Sequence, residues 1–260
     1  MLYTRYLIKE EEDEIIKQYL AGIPSTKIIL SNRPISFVSI CKVLKRRGIK
    51  VRSASINKRT YTTNDTFFDT IDTEEKAYIL GFLWADGNNV NDRIRLLLKE
   101  SDIEILNRIN KIIQPSKPLR VYINKNNYKS ISMCIENKHM SQILNSMGMI
   151  PNKTFTIKFP NKRLLPTGLR RHFIRGYFDG DGSFTNGMFN ITGNKYMIKS
   201  IGYLLKLNCK LDKIRIYPYK NSWALYCGRR YQLRRIYAYL YEDSSISLKR
   251  KQKRFKDYIK

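Results

Sequence analysis

The sequence predicts an α+β fold built from two pseudo-symmetric halves, preceded by a small all-α domain. Three observations support this prediction: one order of helices and strands occurs twice, a motif of glycine and aspartate opens each copy, and the strands alternate apolar with polar side chains. We expect an all-α domain at residues 1–52, a linker at 53–71, and the two halves at 72–160 and 161–260. With 42% hydrophobic residues over 260 positions, the chain has enough apolar surface to bury a core.

The charge of the chain predicts a polyanionic partner. The formal net charge is +27, and self-repulsion of this size opposes compaction unless a partner relieves it. The excess of basic residues extends along the whole chain and is largest at residues 151–260, which contain 25 basic and 6 acidic side chains. We therefore expect a long binding track for a polyanion. Nucleic acid is the expected partner, although ribosomal and membrane-surface proteins share such compositions.

Cysteine and hydropathy patterns argue against several other classes of protein. The four cysteines are far apart and form no C-x-x-C pair, which predicts neither a zinc site nor a disulfide framework. No apolar run approaches the roughly 20 residues that span a bilayer, and no signal-like stretch follows Met1. We therefore expect a soluble, intracellular protein that does not enter a membrane.

The first domain is predicted to contain three short helices, at residues 10–21, 25–30 and 34–47. In the third helix, the side chains expected to pack inward are Val38, Cys41 and Leu44. The polar and basic side chains that could enter a major groove are Ser36, Ser39, Lys42 and Arg46. This stretch resembles the helix-turn-helix modules of transposases and sigma-like regulators, whose last helix reads bases. A three-helix packing unit without DNA contact is the alternative.

Residues 53–71 predict a linker, because they combine few periodic apolar positions with many Ser, Thr and Asn residues. From Asp72 the pattern becomes regular, and Asp72 and Glu75 have the spacing of a capping box before a helix at 76–85. The elements predicted next are a strand at 93–99, a helix capped by Ser101 and Glu104, strands at 119–124 and 128–135, and a helix from Asn137.

The same order of elements returns in the second half. The elements predicted there are a helix at 169–180, a strand at 184–191, a helix after Asn194, strands at 213–219 and 222–227, and a helix from Tyr231. The chain therefore contains an internal duplication of about ninety-five residues.

Two short sequences anchor the duplication: ILGFLWADG at residues 79–87 and IRGYFDGDG at 174–182. In each, a glycine precedes an aspartate by five residues, as Gly81 precedes Asp86 and Gly176 precedes Asp181. A glycine inside a helix costs about 1 kcal/mol relative to alanine, so its recurrence indicates a close approach of two helices. If Gly81 and Gly176 face each other, the helices deliver Asp86 and Asp181 to adjacent points at their C-terminal ends.

This placement of two acids predicts a divalent cation. A helix C-terminus carries partial negative charge, and two carboxylates brought together there repel one another. Carboxylates, backbone carbonyls and water are the ligands that Mg²⁺ prefers, and such a site suits metal-assisted phosphodiester hydrolysis. A single copy of the motif is explained better by an Asp-Gly turn ending a buried helix. Two copies in the same context favour the metal site.

The two stretches resemble the paired LAGLIDADG motifs of monomeric homing endonucleases, and the similarity covers about residues 72–256. The resemblance implies two αββαββα halves that form a DNA-binding saddle around a pseudo-twofold axis. It makes Asp86 and Asp181 the acids that bind Mg²⁺ or Mn²⁺, and the carbonyls of Ala85 and Gly180 additional ligands. The first motif departs from the family pattern at Trp84, where an acid is frequent.

The family also places a basic residue near each active site, after the last helix of each half. Lys153 and Lys251 are at the matching positions, and the resemblance implies that they stabilise the charged transition state or hold water. A surface that only binds phosphate is the alternative role for Lys251, because its neighbours are also Lys and Arg.

The strand patterns predict a polar and basic face that contacts DNA, opposite an apolar face that packs on helices. The side chains predicted on the polar face are Arg93, Arg95, Lys99, Arg120, Tyr122 and Asn124 in the first half, and Lys213, Arg215, Tyr217 and Tyr219 in the second. Ile94, Leu96, Val121 and Ile123 are among those predicted on the apolar face. These polar types can bond base edges and phosphates. An ordinary solvated face would predict mixed charges.

We therefore expect a monomeric, site-specific endonuclease that cleaves double-stranded DNA. The alternatives are a non-catalytic transcription regulator on the same scaffold, against which the presence of Asp86 and Asp181 argues, and an RNA-binding intron maturase. A nuclease of the HNH type is not expected, because His139 and His172 are far apart. An intein is not expected either, because the first residue is Met1 rather than a nucleophile and the last is Lys260 rather than the Asn of a His-Asn pair.

Overall fold

The structure, a computed structural model, describes residues 7–21, 23–31, 33–51, 60–151 and 156–260. These residues form two compact units, Met1–Thr62 and Thr63–Lys260. Lys153 and the first part of the predicted linker, residues 53–59, lie outside the described residues.

The N-terminal unit is built on two helices with their own core. Its elements are α1 (Lys9–Leu20), a 3-10 turn (Ser25–Lys27), β1 (Ile29–Leu30), β2 (Arg33–Pro34) and α2 (Phe37–Arg46). Seven buried side chains form the core: Ile15, Tyr19, Ile28, Leu30, Ile40, Val43 and Leu44. Ser36 caps α2, since its hydroxyl accepts a hydrogen bond from the amide of Ser39 at 3.1 Å.

The predicted second helix of this unit, at residues 25–30, is wrong. A 3-10 turn replaces it, and β1 pairs with β2 in an antiparallel ladder. The side-chain amide of Gln18 donates to the carbonyl of Ile29 at 2.9 Å and accepts from its N–H at 3.3 Å. Both backbone groups of Ile29 are therefore used by a side chain rather than by a helix.

The predicted inward face of the last helix, α2, is correct for Leu44 and wrong for Val38. Val38 is 61% exposed, and the buried side chains are Ile40, Val43 and Leu44. Apolar residues occur on more than one side of this helix, so periodicity alone does not identify the side that packs against α1.

The larger unit contains the predicted duplication. Its first half consists of α3 (Glu74–Asp86), β3 (Gly87–Val90), β4 (Arg93–Lys99), α4 (Ile103–Ile113), β5 (Arg120–Ile123), β6 (Lys129–Glu136) and α5 (Lys138–Ser146). Its second half consists of α6 (Arg170–Asp181), β7 (Gly182–Thr185), β8 (Met188–Gly193), α7 (Lys195–Asn208), β9 (Arg215–Tyr219), β10 (Ser222–Cys227) and α8 (Arg230–Tyr241). A further helix, α9 (Lys249–Ile259), follows. The αββαββα order of each half is confirmed.

Each half has one antiparallel sheet of four strands, and the two sheets have the same topology. The strand orders are β3-β4-β6-β5 and β7-β8-β10-β9. Along β4 the side chains alternate between exposed and buried, because one face packs on helices and the other is open. A single hydrophobic core, which includes Phe82, Phe178, Ile94 and Phe189, extends through both halves.

The helices α3 and α6 make the closest packing contact in this core. A Cβ atom at Gly81 would overlap the carbonyl oxygen of Phe173, and one at Gly176 would overlap the carbonyl oxygen of Tyr78. The two overlaps are reciprocal, so each glycine lies directly against the backbone of the other helix. The predicted role of Gly81 and Gly176 is confirmed.

A buried arginine links this helix pair to the segment between α8 and α9. The Arg175 side chain is fully buried and donates to Glu74 of α3 at 2.6 Å, and to the carbonyls of Ile246 at 2.9 Å and Leu240 at 2.8 Å. Burial lowers the pKa of His172 to about 4, so this imidazole is neutral and accepts from Arg175 at 2.9 Å. Each nitrogen of the buried guanidinium therefore has at least one acceptor.

Three local predictions in the halves are corrected by the structure. The single strand predicted at 184–191 is the hairpin of β7 and β8, whose turn has positive φ at Asn186 and Gly187, a strong hairpin signal in the sequence. Thr73, not Asp72, caps α3 through a bond from the amide of Lys76 at 3.3 Å. The helix predicted to be capped by Ser101 begins at Ile103, after a 3-10 turn over Glu100–Asp102.

The linker prediction and the burial of β5 also need correction. Phe67 and Phe68 are buried in the core of the larger unit, so residues 63–71 are part of that unit. Both faces of β5 are exposed, with Val121 at 59% and Ile123 at 62%. β5 is an edge strand, and the helices that cover the sheet do not extend over it.

No helix in the described part of the chain has both the length and the apolar character needed to cross a bilayer.

We predict that Gly81→Ala destabilises the larger unit by about 3 kcal/mol, since the new methyl group overlaps backbone atoms that cannot move aside cheaply. Urea denaturation measures the effect. Gly168→Ala is the matched control, because a Cβ atom at Gly168 meets nothing within 4 Å. Equal stability of the two variants would contradict the close helix contact.

Candidate active site and nucleic-acid interface

Asp86 and Asp181 are the last residues of α3 and α6, and the helix contact brings these ends together. A Cβ atom at Gly180 would overlap the methyl group of Ala85 and lie 3.1 Å from Oδ2 of Asp86. The carboxylate of Asp86 therefore lies against the residue that precedes Asp181. Both acids are exposed to solvent. The structure brings together the acids that the sequence predicted to be adjacent.

Tyr177 contacts this acidic pair and was not predicted from the sequence. Its hydroxyl contacts Asp181 and lies 3.3 Å from the carbonyl oxygen of Thr192. Burial raises the pKa of Tyr177 well above 10, and the charges of Asp181 and Asp86 add to the effect. The hydroxyl therefore stays protonated and can act as a hydrogen-bond donor beside Asp181. The first motif has Phe82 at the matching position, and phenylalanine has no hydroxyl to donate.

Lys251 lies at the C-terminal end of α6, where its ammonium group contacts backbone carbonyls. Its Nζ donates to the carbonyls of Phe178 at 3.0 Å, Asp179 at 2.7 Å, Gly180 at 3.0 Å and Gly182 at 2.5 Å. Only 8% of the residue is exposed, and burial lowers the pKa of Lys251 to about 8. Lys251 thus caps the negative end of α6 immediately beside Asp181. Its predicted part in the chemistry stays a prediction.

Asp179 holds the segment that leads into Lys251. Its buried carboxylate accepts from the hydroxyls of Tyr78 and Tyr241, both at 2.8 Å, and from the amide of Leu248 at 2.7 Å. Leu248 is the residue that precedes α9, so these bonds fix the start of the helix that carries Lys251. Burial raises the pKa of Asp179, and the three bonds oppose that shift.

The first motif is supported differently. Trp84 occupies the position that matches Asp179, and its indole donates to the carbonyl of Lys158 at 3.2 Å. The departure at Trp84 therefore replaces a charged anchor by an apolar ring with one hydrogen bond. The pseudo-symmetric halves have similar backbones and unlike surroundings at their acids.

The donor set at the helix ends fits a divalent cation bound by oxygen atoms. No cluster of three or more His, Cys, Asp or Glu side chains suited to a metal occurs among the residues that the structure describes. The available ligands are the two exposed carboxylates and the nearby carbonyls of Ala85 and Gly180, and such an oxygen-only set is typical for Mg²⁺ and Mn²⁺. The Gly180 carbonyl already accepts from Lys251, so a metal would take its second lone pair.

The open face of the first sheet carries five of the six residues predicted there. Arg93, Arg95 and Lys99 of β4 are exposed on this face, and Arg120 and Tyr122 of β5 lie on the same side by strand register. The sixth has another role: the carboxamide oxygen of Asn124 accepts from the amides of Asn126 and Tyr128, both at 2.9 Å, and so closes the β5–β6 turn.

The acid Glu136 lies on the open face of the first sheet, and nearby basic side chains offset its negative charge. Glu136 is opposite Arg93 in the ladder, with 3.5 Å between Nε of Arg93 and Oε1 of Glu136. Lys117 contacts the same carboxylate at 3.7 Å. The net charge of this face is therefore still positive, because three of the predicted residues there are arginines.

The open face of the second sheet is basic and rich in tyrosine. Arg215, Tyr217 and Tyr219 are exposed on β9, and the ring of Tyr217 stacks on Tyr226 with 5.1 Å between centroids. Lys213 precedes the strand and, together with Arg215 and Arg229, lines a cavity of about 470 Å³. Three further side chains of β7 and β8 lie on the same face: Ser183, Asn190 and Thr192. They were not predicted, because the sequence pattern indicated a single strand where the hairpin lies.

The predicted DNA-reading residues of α2 have unequal surroundings. Lys42 is exposed, whereas Ser36 caps the helix and bonds the Ser39 hydroxyl at 2.9 Å. Arg46 forms an ion pair with Glu12 of α1. Ser36, Ser39 and Arg46 thus have partners within the unit, and Lys42 projects from the helix.

Comparison with solved structures finds several to which the chain is similar. The match to the homing endonuclease I-WcaI, bound to its DNA recognition sequence, covers 80% of this chain and 96% of the I-WcaI chain. The TM-score is 0.52 and the sequence identity is 14%. The match to I-DmoI, in complex with DNA and Mn, covers 66% of this chain and 98% of the I-DmoI chain, with a TM-score of 0.46 and 15% identity. The match to full-length DUF199/WhiA from Thermatoga maritima covers 75% of this chain and 64% of the WhiA chain, with a TM-score of 0.45 and 18% identity.

Sequence comparison finds less. No family model matches the chain. A DNA polymerase of Acanthamoeba polyphaga mimivirus is 22% identical over 178 residues, which are 60% of this chain and 10% of the polymerase. The matched region thus spans about a tenth of the length of that relative. The structural match to I-WcaI, at a TM-score of 0.52 and 14% sequence identity, shows a shared fold.

We predict that Lys251→Met lowers the free energy of unfolding by about 1–3 kcal/mol, because it removes the buried ammonium group that donates to four carbonyls at the end of α6 and just after it. Chemical denaturation measures the loss. Lys253→Met is the control, since Lys253 is exposed on the same helix. If both variants were as stable as the parent chain, Lys251 would not be capping α6.

Proposed function

The chain has the LAGLIDADG fold, and from this premise we propose that it is a metal-dependent endonuclease that cleaves double-stranded DNA at a specific site. The observation that supports this most directly is the position of Asp86 against Gly180, beside Asp181, at the paired ends of α3 and α6. Two exposed carboxylates at negative helix ends repel one another, and a divalent cation relieves that repulsion. A purely structural Asp-Gly turn does not require two such ends to meet.

DNA is the proposed substrate because the open sheet faces combine positive charge with hydrogen-bonding groups. Arginines and lysines such as Arg93, Lys99 and Arg215 can neutralise phosphates, and Tyr122 and Tyr217 can contact bases. Structures of similar fold, such as I-WcaI, are complexes with a DNA recognition sequence. In our proposal the duplex lies across both open faces, and the sheet residues read its sequence.

In the proposed mechanism, Asp86 and Asp181 bind the cation, with the carbonyls of Ala85 and Gly180 as further ligands. A bound Mg²⁺ or Mn²⁺ supplies charge neutralisation at the scissile phosphate and lowers the pKa of a water molecule. Lys251 holds the Gly180 carbonyl in place, and Tyr177 orients the carboxylate of Asp181. Basic side chains of the open faces fix the phosphodiester so that water can attack phosphorus and displace the leaving oxygen.

The N-terminal unit is proposed to contact DNA beside the cleavage site through α2. Lys42 and Lys45 are exposed on this helix, and Val38 adds apolar surface that could contact a base. Ser36 and Arg46 contribute to the fold of the unit, so their part in reading bases would be secondary.

We expect Asp86→Asn and Asp181→Asn each to reduce cleavage of a cognate duplex at least about a hundredfold, because each removes charge that holds the metal. Binding of the duplex should remain. Gel assays of nicking and linearisation with Mg²⁺, together with binding measured at equilibrium, test this. Chelation with EDTA should also stop cleavage by the parent chain.

Asp243→Asn is the matched control, since Asp243 is exposed, lies in the turn after α8, and has a positive φ that Asn tolerates. Specific binding without cleavage under any divalent metal would overturn the nuclease proposal and favour a regulator. Loss of binding in both acid variants would place the acids in the DNA interface rather than in the chemistry.

Deletion of residues 1–62 should weaken binding of the cognate duplex and shorten the sequence that is recognised, while the acids at the helix ends remain. Footprinting and cleavage of a partly randomised duplex measure both effects. A truncated chain with unchanged affinity and site length would exclude a role for the N-terminal unit in DNA recognition.

A further inference from the structure

The outer face of α7 exposes large aromatic and aliphatic side chains. Tyr196 is 61% exposed, Tyr203 is 67% exposed and Leu207 is 60% exposed. Lys199 and Lys206 project between them. The opposite side of α7, with Ile198, packs into the core on the second sheet. This outer face is therefore remote from the open sheet face that carries Tyr217.

The matching helix of the first half has no such face. The exposed residues of α4 include Glu104, Asn107, Arg108 and Lys111, and none of its residues is aromatic. Since α4 and α7 occupy equivalent places in the duplication, the fold does not require exposed tyrosines. Exposed aromatic groups that packing does not explain indicate a contact surface.

An open groove of about 360 Å³ lies between α7 and the start of α6, and we call it the α7 groove. Phe159 and Leu204 provide apolar surface, Tyr203 provides an exposed ring, and Arg170 and Lys199 provide positive charge. Nearby, Nζ of Lys158 lies 5.7 Å from the ring centroid of Tyr196. A cation next to an aromatic ring is thus repeated along this side of α7.

The side chain of Arg170 is partly buried at the edge of the α7 groove. Its Nε atom is buried without a hydrogen-bond acceptor, and within the described ranges its side chain forms no hydrogen bond or salt bridge. Arg175 on the same helix, in contrast, has an acceptor for each nitrogen. A guanidinium with an unsatisfied buried donor is atypical of a folded protein and indicates a missing anionic or polar partner.

None of the described residues that line this groove carries a carboxylate. Between Glu136 and Asp212 the sequence contains only two acids, Asp179 and Asp181. The first is buried among Tyr78, Tyr241 and Leu248, and the second ends α6 next to Asp86. The ligand that complements the groove is therefore an external anion that also offers a planar ring.

We propose that the α7 groove binds a single-stranded polynucleotide, with a base stacked on Tyr203 and phosphates beside Arg170 and Lys199. Aromatic platforms next to a basic track are the means by which proteins bind single strands. The bases of a duplex are already stacked on one another, so an exposed tyrosine on a helix cannot stack on them. RNA and DNA single strands share this chemistry, and they differ by the 2′-hydroxyl.

The test measures binding of a short, mixed-sequence, fluorescent single strand, as RNA and as DNA, to the full chain. Fluorescence anisotropy is recorded while an excess of unlabelled duplex occupies the basic sheet faces. We expect the single strand to stay bound. Tyr203→Ala should weaken its binding about tenfold, the effect of losing one stacked base.

Lys111→Ala on α4 is the matched control and should leave the affinity unchanged, although it also removes an exposed charge. Lys199→Gln should lower the salt dependence of binding, because one phosphate contact is lost. Thermal melting checks that each variant folds. We expect Tyr203→Ala to fold, because the side chain of Tyr203 is exposed.

A preference for RNA or for DNA would identify the source of the strand, and either result agrees with the proposal. Displacement of the single strand by the duplex would overturn it, since both would then share one surface. Equal effects of Lys199→Gln and Lys111→Ala would also overturn it, because general charge would then explain the binding. An unchanged affinity of Tyr203→Ala would overturn the stacking of a base on this ring. None of these measurements depends on nuclease activity.

Discussion

The contact between Gly81 and Gly176 is the constraint on which the rest of the larger unit depends. Each glycine places its Cα against a backbone carbonyl of the opposite helix, so α3 and α6 approach more closely than any side chain would allow. The close approach carries Ala85 to Gly180 and brings Asp86 beside Asp181. Packing at the glycines and charge at the helix ends are thus two consequences of one crossing, and the electrostatic conflict at the ends makes a cation site physically reasonable.

Buried polar groups hold this crossing in place, and most of them belong to the second half. Arg175 joins α3 to the segment after α8, and Asp179 fixes the start of α9, where Lys251 reaches the carbonyls of α6. Such groups stabilise a fold only when their donors and acceptors are matched, and here each nitrogen of Arg175 has an acceptor. The first half uses Trp84 instead, so the surroundings of the two acids differ although their helices match.

The duplication preserves the core and leaves the surfaces free to differ. Both sheets have the same strand order and alternate buried with exposed residues, but the first open face carries mainly arginines and the second adds the stacked pair of Tyr217 and Tyr226. Outer helix faces differ as well, since α4 is polar and α7 exposes Tyr196 and Tyr203. Positive charge is spread over several surfaces, which agrees with a net charge of +27 that no single contact face would require.

The sequence by itself determined the duplication, the order of its elements, the glycine contact and the identity of the two acids. These features follow from short-range spacing and from the recurrence of one pattern, which neighbouring residues encode directly. Only the tertiary structure decided which groups meet across long stretches of chain: Tyr78 reaches Asp179 over 101 positions, and Lys251 reaches Asp179 over 72. It also decided that Gln18 occupies the backbone of Ile29, and that β5 lies at an edge with Val121 exposed. Local periodicity indicates which side of an element is apolar. Which partner covers that side is decided only when the whole chain has folded.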